Sequence, residues 1–269
     1  MRCRCTPTPP TAAEPGEIVW SGTRPLGCVL VHGFTATPEE VRPLGDALAA
    51  AGFPCRAVRL PGHGTVVTDL ATVSHRQWIA TVEDAVRTME KDVPRVAVAG
   101  VSLGALLGLA VAAIGDPPLH ALVLLSTPLR FADERTAALR FVAWVPGAIS
   151  PARLVRKRRG RDIVDEAARA RSVAYDAMPL TAVVELLRLR ARVKRTIARV
   201  TQPVLALHGR RDHTAPLANI DVLRRLFAGR PLETQIFEQS AHVLTEDGER
   251  DAVAARVVAF LERIEATGR

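Results

Sequence analysis

The chain has 269 residues, of which 48 % are hydrophobic and 24 % are charged, a composition that excludes an intrinsically disordered protein and allows one large domain or two small ones. The formal net charge of +8 by itself fits nucleic acid, an anionic membrane surface or acidic substrates. Aromatic residues are only 4 % and do not alternate with basic ones, which disfavours base stacking and a nucleic-acid partner.

The first 15 residues are rich in Pro and Thr and are expected to form a mobile tail without the apolar segment of a secretory signal. The four cysteines, Cys3, Cys5, Cys28 and Cys55, form neither a disulfide framework nor a zinc ligand set. Cys28 and Cys55 lie in apolar stretches and are expected to be buried thiols. We therefore expect a cytoplasmic protein without a metal or a cofactor.

Short β-rich runs alternate with longer helical patterns along most of the chain. Strands are predicted at 27–31, 54–60, 95–100, 121–126, 203–209 and 232–237, and helices at 38–51, 74–89, 103–114, 217–227 and 246–265. This alternation predicts an α/β fold in which parallel strands pair and helices cover both faces of the sheet.

Two helix starts carry capping signals. Thr37 is predicted to cap the first helix, with Pro38 at its first position and Glu40 completing a capping box. Ser74 and Gln77 predict a second capping box at the next helix.

The segment 128–201 interrupts the alternation, because it contains helical patterns and no convincing strand. One predicted helix within it has an apolar face opposite an arginine-rich face, formed by Leu180, Val183, Val184, Leu187 and Ala191. A helical insertion between two sheet strands indicates a cap over the carboxyl edge of the sheet. The predicted organisation is a flexible tail at 1–15, an α/β core at 16–127 and 202–269, and a helical cap at 128–201.

The cap contains the basic run "RLVRKRRGR" from Arg153 to Arg161. We interpret this run as a solvated charged face. The functional alternative is a transient contact with an anionic lipid surface, or the steering of an acidic substrate.

The run from Val96 to Gly115 contains twenty residues and no charge, about the length of a membrane-spanning helix. Glycines interrupt this run, and its first residues alternate between Val and Ala as in a buried strand. A buried strand and a buried helix joined by a tight turn therefore explain the run better.

That turn, Gly100-Val-Ser-Leu-Gly104, has the pattern G-x-S-x-G between a predicted strand and a predicted helix, which is the context of a nucleophile elbow. In such an elbow the serine has a strained backbone, and its neighbours must be small because other backbone occupies the space of a Cβ. The helix behind it favours negative charge at its N-terminus. Ser102 is therefore the predicted nucleophile.

A serine nucleophile needs a base that is oriented by a carboxylate. In proteins with a nucleophile elbow, these residues follow the chain order Ser, then Asp or Glu, then His. Asp212 and His242 each follow a predicted strand at its carboxyl end, where site residues gather. The rival Asp116 follows a helix, and His213 is interpreted as a loop imidazole.

Two backbone N–H groups are predicted to bind the oxyanion. One is that of Leu103, directly after the nucleophile, and the other is that of Phe34, in the loop after the first predicted strand. His32 and His63 are interpreted as supports of their loops through hydrogen bonds.

The ordered motifs "HGFTATPEEVRPLGDAL", "LPGHG", "GVSLG", "HGRRDHTAP" and "SAHVLTEDGER" resemble those of the α/β-hydrolases, and within them the small bacterial carboxylesterases and monoacylglycerol-lipase-like esterases. The resemblance covers the chain from about Gly27 to Leu261. It implies an α/β-hydrolase fold, a mostly parallel central sheet flanked by helices with a small helical cap inserted between sheet strands. It also implies Ser102 as nucleophile, Asp212 as acid and His242 as base. Ala215 departs from the pattern, since relatives often carry Val there; this is expected to change packing only.

The resulting expectation is a serine hydrolase that cleaves carboxylic esters through an acyl-enzyme, with short- to medium-chain acyl esters and monoacylglycerols as the substrate class. Thioester, lactone, amide and carbon–carbon bond hydrolysis on the same scaffold remain open. A non-catalytic protein that keeps the pocket for a ligand also remains open. The expected partner is a small-molecule ester, and the oligomeric state is not predicted.

Overall fold

The computed structural model describes residues 16–132, 153–157 and 160–267; the predicted tail, with Cys3 and Cys5, lies outside them. The strands are β1 Ile18–Trp20, β2 Leu26–Val31, β3 Cys55–Val58, β4 Arg95–Val101, β5 Ala121–Leu125, β6 Leu154–Arg156, β7 Ala177–Pro179, β8 Val204–Gly209 and β9 Leu232–Phe237. The helices are α1 Arg42–Ala50, α2 His75–Met89, α3 Leu103–Ile114, α4 Glu166–Arg171, α5 Leu180–Thr196, α6 Ala218–Leu226 and α7 Arg250–Ala266. Short 3₁₀ segments lie at Pro38–Val41, Asp69–Thr72 and Ile197–Arg199.

The central sheet has the strand order β1-β3-β2-β4-β5-β8-β9. The neighbours from β3 to β9 pair in parallel, and the edge strand β1 pairs antiparallel with β3. The predicted α/β-hydrolase class, a mostly parallel sheet flanked by helices, is therefore confirmed. β1 was not predicted, because its three residues are too few to form a recognisable alternation.

Each face of the sheet carries its own apolar core. In β4, Val96 and Val98 pack into one core with α2, α3, α5 and α6, while Ala97, Ala99 and Val101 pack into the other with α1 and α7. Because both faces are covered, the parallel strands are continuous apolar runs rather than alternating ones.

The uncharged run around Ser102 divides into β4 and α3, as predicted. Every residue of α3 from Leu103 to Ala113 is buried, which explains why the helix carries no polar face. No helix among the described residues is long and apolar enough to cross a membrane.

The first predicted helix starts differently from the expectation. The segment after Thr37 is a 3₁₀ turn that precedes α1, and the Thr37 side chain makes no capping hydrogen bond. The Glu40 carboxylate does not close a capping box, because it binds the Gly33 N–H instead. The capping box of Ser74 and Gln77 at α2, by contrast, is confirmed.

The expectation of a segment without strands at 128–201 is wrong where β6 and β7 pair antiparallel, with Leu154 opposite Pro179. These three-residue strands are far apart in sequence, so no local periodicity indicates them. Within the same segment, α4 and α5 are helical as expected, and residues 133–152 and 158–159 lie outside the described part.

The last helix begins at Arg250 rather than at the predicted position 246. The residues before it form a turn in which Asp247 accepts hydrogen bonds from several backbone N–H groups. Asp247, which lies in the predicted first turn of the helix, instead makes hydrogen bonds to loop backbone.

Candidate active site

Ser102 lies on the turn between β4 and α3 with φ 53° and ψ −104°, a left-handed backbone that is strained for a residue with a Cβ. Its N–H donates to the Leu125 carbonyl at 2.8 Å. A Cβ on Gly104 would lie 2.2 Å from the carbonyl oxygen of Val31, so the predicted need for a small residue is confirmed there. Leu103 is the first residue of α3, where a backbone N–H has no intrahelical acceptor.

Asp212 and His242 are hydrogen-bonded to each other at the carboxyl ends of β8 and β9. His242 Nδ1 lies 2.8 Å from Asp212 Oδ2, and the other carboxylate oxygen accepts from the Thr214 and Ala215 N–H groups at 2.9 and 2.7 Å. Because Asp212 holds the proton on Nδ1, the Nε2 atom of His242 is left as the basic nitrogen. This is the arrangement of a general base oriented by a carboxylate.

His208 is a second, unpredicted neighbour of this carboxylate. Its Nε2 donates to the Ala215 carbonyl at 2.8 Å and lies 3.2 Å from Asp212 Oδ2. The residue is fully buried in β8 and reads in the sequence as an ordinary strand position. Its ring therefore lies beside the same carboxylate oxygen that His242 Nδ1 contacts.

Burial and charge act in opposite directions on this pair. Burial would raise the pKa of Asp212, but the charge of His242 and the hydrogen bonds from His208 and His242 hold it well below its usual range. Burial would likewise lower the pKa of His242, but the charge and hydrogen bond of Asp212 raise it above its ordinary value. The pair therefore favours an ionised acid beside a base that readily takes a proton.

Close backbone contact brings the two loops together. A Cβ on Gly209 would lie 2.1 Å from the carbonyl oxygen of Ala241, which directly precedes His242. The end of β8 can approach the histidine loop this closely only because residue 209 has no side chain.

Asp247 holds the histidine loop from the other side, and its role was missed by the sequence analysis. Its carboxylate accepts from the N–H of Ala241 at 2.8 Å and from those of Val164 and Asp165 at 3.0 and 2.9 Å. The residue is buried and thereby joins the loop to the segment before α4. The only signal in the sequence is its place in the motif "SAHVLTEDGER".

The loop that contains Phe34 is held by hydrogen bonds from two directions. The Gly33 N–H donates to Glu40 Oε2 at 2.5 Å. Thr35 has φ 69°, its hydroxyl donates to the Phe34 carbonyl, and its own carbonyl accepts from the Tyr175 N–H at 3.0 Å. The loop is thus held by the core on one side and by the segment before β7 on the other.

His32 and His63 are uncharged supports beneath this loop. His32 Nε2 accepts from the Leu60 N–H at 3.2 Å, so its Nδ1 carries the proton and donates to the Gly33 carbonyl at 2.8 Å. Burial lowers the pKa of His32 to about 4 and that of His63 to about 3. Both rings are therefore neutral at pH 7, in agreement with their interpretation as loop supports.

The interpretation of the run Arg153–Arg161 as a solvated face is wrong at its end. The Arg161 guanidinium donates to Glu40 at 2.9 Å and to Glu246 at 2.7 Å, and its side chain is only 12 % exposed. One guanidinium therefore joins the segment before α4 both to Glu40, which holds the Phe34 loop, and to the loop after His242.

Ser102, Asp212 and His242 line one cavity of about 1030 Å³, together with Phe34. Within the described residues no hydrogen bond links Ser102 Oγ to His242; such contacts often tighten only when substrate is bound. The apolar part of the wall consists of Phe131, Val155, Met178, Val183, Leu186 and Leu187.

The two rival residues make contacts of their own. His213 hydrogen-bonds to Asp162, and Asp116 forms an ion pair with Arg87 at the surface.

Several known proteins are similar to this chain. The profile of the family described as serine aminopeptidase, S33 (Hydrolase_4) matches residues 26–249. The chain is 28 % identical over 255 residues to the thermostable monoacylglycerol lipase of Bacillus sp. (strain H-257), across 94 % of this chain and 96 % of that one. It is 25 % identical over 238 residues to a carboxylesterase of Bacillus subtilis (strain 168), across 88 % and 92 %. A solved structure from work on the metagenome-derived lipolytic enzymes LipS and LipT superposes with a TM-score of 0.81 at 28 % identity, across 93 % and 98 %.

Proposed function

Because the chain belongs to the serine aminopeptidase S33 family (Hydrolase_4) of α/β-hydrolases, we propose that this serine hydrolase cleaves carboxylic esters. The substrate class is short- to medium-chain acyl esters, with monoacylglycerols among them. Similarity to a monoacylglycerol lipase and a carboxylesterase supports this class. The apolar cavity wall formed by α5, β6 and β7 offers room for an acyl chain.

In the proposed reaction, Ser102 Oγ attacks the ester carbonyl carbon while His242 Nε2 takes the hydroxyl proton. The N–H groups of Phe34 and Leu103 stabilise the resulting oxyanion. The carbon–oxygen bond to the alcohol then breaks, and the alcohol leaves with the proton from His242. Water, deprotonated by the same imidazole, hydrolyses the acyl-serine and releases the acid.

One observation carries the proposal: His242 is oriented by Asp212 through a 2.8 Å hydrogen bond at the cavity where Ser102 sits on a strained turn. A strained elbow exposes a hydroxyl that a packed helix residue would bury. Asp212 both selects the tautomer and stabilises the imidazolium that forms when His242 accepts the proton.

We further propose that residues 128–201 form a cap over this cavity, on a core made of 16–127 and 202–269. The contacts of Arg161 with Glu40 and Glu246 support this division. The cap would shield the acyl chain from bulk solvent and supply the apolar wall.

The test is hydrolysis of a p-nitrophenyl ester panel by the wild type and by Ser102→Ala, with Ser21→Ala at an exposed position as the matched control. We expect Ser102→Ala to lose about a thousandfold or more in kcat/KM and to lose labelling by a fluorophosphonate, while Ser21→Ala keeps both. Equal hydrolysis by wild type and Ser102→Ala would show that Ser102 is not the nucleophile.

A second set of substrates separates ester cleavage from thioester, lactone and amide cleavage. A thioester and an amide with the same acyl group, and a lactone with the same number of carbons, are compared with the oxygen ester, and a higher kcat/KM for any of them would replace the ester assignment. A folded wild type that neither hydrolyses the panel nor reacts with the fluorophosphonate would indicate a ligand-binding protein.

A further inference from the structure

Lys157 carries an ammonium group next to the Phe34 loop. Its Nζ donates to Thr35 Oγ1 at 2.5 Å, and Thr35 directly follows Phe34, the proposed oxyanion donor. Lys157 follows β6 and lines the same cavity as Ser102. The ammonium is thus held beside the Phe34 loop, at the wall of the cavity, by a neutral hydroxyl.

Within the described part of the chain, this ammonium has no ion-pair partner. Three carboxylates of that part line the cavity, and each already has a partner: Glu40 has Arg161, Asp162 has His213, and Asp212 has His242. Among the described residues, no carboxylate lies within 4.0 Å of Lys157 Nζ.

An ammonium group has three N–H donors, and Thr35 accepts from only one of them. Lys157 is partly buried, and removing a cation from water without a paired anion is costly, so such a group is normally matched by a charge or by several acceptors. Here the unused donors are on a residue that faces the substrate cavity. An anion supplied by the ligand would complete the site.

Resting on the esterase function above, we propose that Lys157 binds an anionic group, a carboxylate or a phosphate, carried by the ester substrate. The protein is then selective for acid-bearing esters over neutral ones of the same size. The anion can belong to the acyl side, as in a dicarboxylic acid monoester, or to the alcohol side, as in an acylglycerol phosphate. The chemistry of recognition is the same in both cases.

The pKa of Lys157 provides an independent readout. Burial and the nearby charge of Arg161 lower it to about 8, against the opposing charges of Glu40 and Asp176. Because a lysine is charged below its pKa, selectivity for the acid-bearing ester is present at pH 7 and declines as the pH rises through about 8. Among the residues that the structure describes, Arg161, Glu40, Asp176 and the Thr35 hydroxyl are the groups that act on this ammonium.

The experiment measures the selectivity ratio, kcat/KM for an acid-bearing ester divided by kcat/KM for a neutral one. The acyl-side pair is mono-p-nitrophenyl glutarate and p-nitrophenyl hexanoate. The alcohol-side pair is 1-decanoylglycerol 3-phosphate and 1-decanoylglycerol. Using a ratio cancels any general effect of a substitution on the Phe34 loop.

We expect Lys157→Met to lower the ratio about tenfold to a hundredfold in one of the two pairs, the size of a charge-assisted hydrogen bond. Lys157→Arg keeps most of the ratio because the charge is retained. Lys91→Met removes the same charge at an exposed position after α2 and leaves the ratio unchanged. The ratio also persists in high salt, because salt screens a partly buried charge less than it screens the exposed positive charges of the protein surface.

A ratio that Lys157→Met leaves unchanged in both pairs overturns the proposal, as does a ratio that Lys91→Met lowers equally. If the wild type cleaves the neutral esters but shows no preference for the acid-bearing ones, the anionic subsite fails and the esterase function stands. If it cleaves none of them, calorimetric binding of glutarate and glycerol 1-phosphate to wild type and Lys157→Met tests the subsite alone. Equal binding, or no binding, by the two proteins then rejects it.

Discussion

At the residue scale, the pair of Asp212 and His242 depends on competition between burial and charge. Both side chains are at most one-tenth exposed, and burial alone would favour their neutral forms. The attraction across a 2.8 Å hydrogen bond outweighs burial in both groups. The imidazole is therefore a stronger base in this site than in water, but it must be deprotonated before it can accept a proton from Ser102.

This competition predicts the pH dependence of Asp212→Asn. In the wild type, the acid limb of kcat/KM is expected at a higher pH than for an ordinary histidine, because Asp212 raises the pKa of His242 and the imidazole is active only when neutral. In Asp212→Asn the raising charge is gone while burial remains, so the limb moves to lower pH, and kcat falls about 10⁴-fold because the tautomer is no longer selected. A pH–rate series with a p-nitrophenyl ester measures both effects.

Asp162→Asn is the comparison variant, because its carboxylate raises the pKa of His242 less than Asp212 does and hydrogen-bonds to His213 and Thr214 rather than to the His242 ring. It is expected to move the limb less and to preserve most of kcat. An acid limb at the same pH in wild type and Asp212→Asn would show that another group orients the base.

At the scale of elements, the site depends on how closely the ends of β8 and β9 approach each other. The histidine loop is held between Gly209 on one side and the carboxylate of Asp247 on the other. Neither contact is part of the sheet, yet together they set the position of the imidazole. A small change in backbone at this point is therefore transmitted directly to the base.

Gly209→Ala is expected to push the histidine loop away, because the new methyl group would meet a backbone oxygen at 2.1 Å. We expect a loss of about 1–3 kcal/mol in the free energy of unfolding and about a hundredfold loss in kcat from displacement of the base. Chemical denaturation and ester hydrolysis measure the two separately.

Gly248→Ala lies in the same loop region but has nothing within 4 Å of the added Cβ. It is expected to leave both quantities nearly unchanged. If Gly209→Ala behaves in the same way, the contact does not position the loop.

At the scale of the whole molecule, the proposed cap and the core share one apolar interior. Leu186, Leu189 and Val193 of α5 belong to the same buried cluster as α3 and β4. Arg161 adds a polar connection to two core loops. The proposed cap is therefore anchored by apolar packing, and we expect it to unfold together with the core.

Leu189→Ala tests this anchoring. The side chain is fully buried, so its truncation is expected to cost about 2–5 kcal/mol in the free energy of unfolding, within a single cooperative transition. Leu154→Ala, at a side chain that is 44 % exposed on β6, is the matched control with a cost of about 0.5 kcal/mol or less. Two separate transitions in urea, monitored by far-UV circular dichroism, would contradict a shared core.

The parts of this protein that the sequence alone determines are those with local signals. Apolar runs of strand length alternating with helical patterns predict the parallel sheet, and the turn around Ser102 predicts the strained elbow because small flanking residues are required within five positions. The pairing of Asp212 with His242 could be predicted because each lies a few residues after a strand, and parallel strands end at one edge of the sheet.

Only the tertiary structure decided the contacts of Glu40, Asp247, Lys157 and Arg161. Glu40 resembles a helix-capping residue in sequence, yet it binds a guanidinium 121 positions away. Lys157 and Arg161 resemble a solvated basic run, yet each lies in the cavity wall beside a core loop. Periodicity reports which face of an element is apolar, whereas a polar side chain takes its function from the distant segment that folding places next to it.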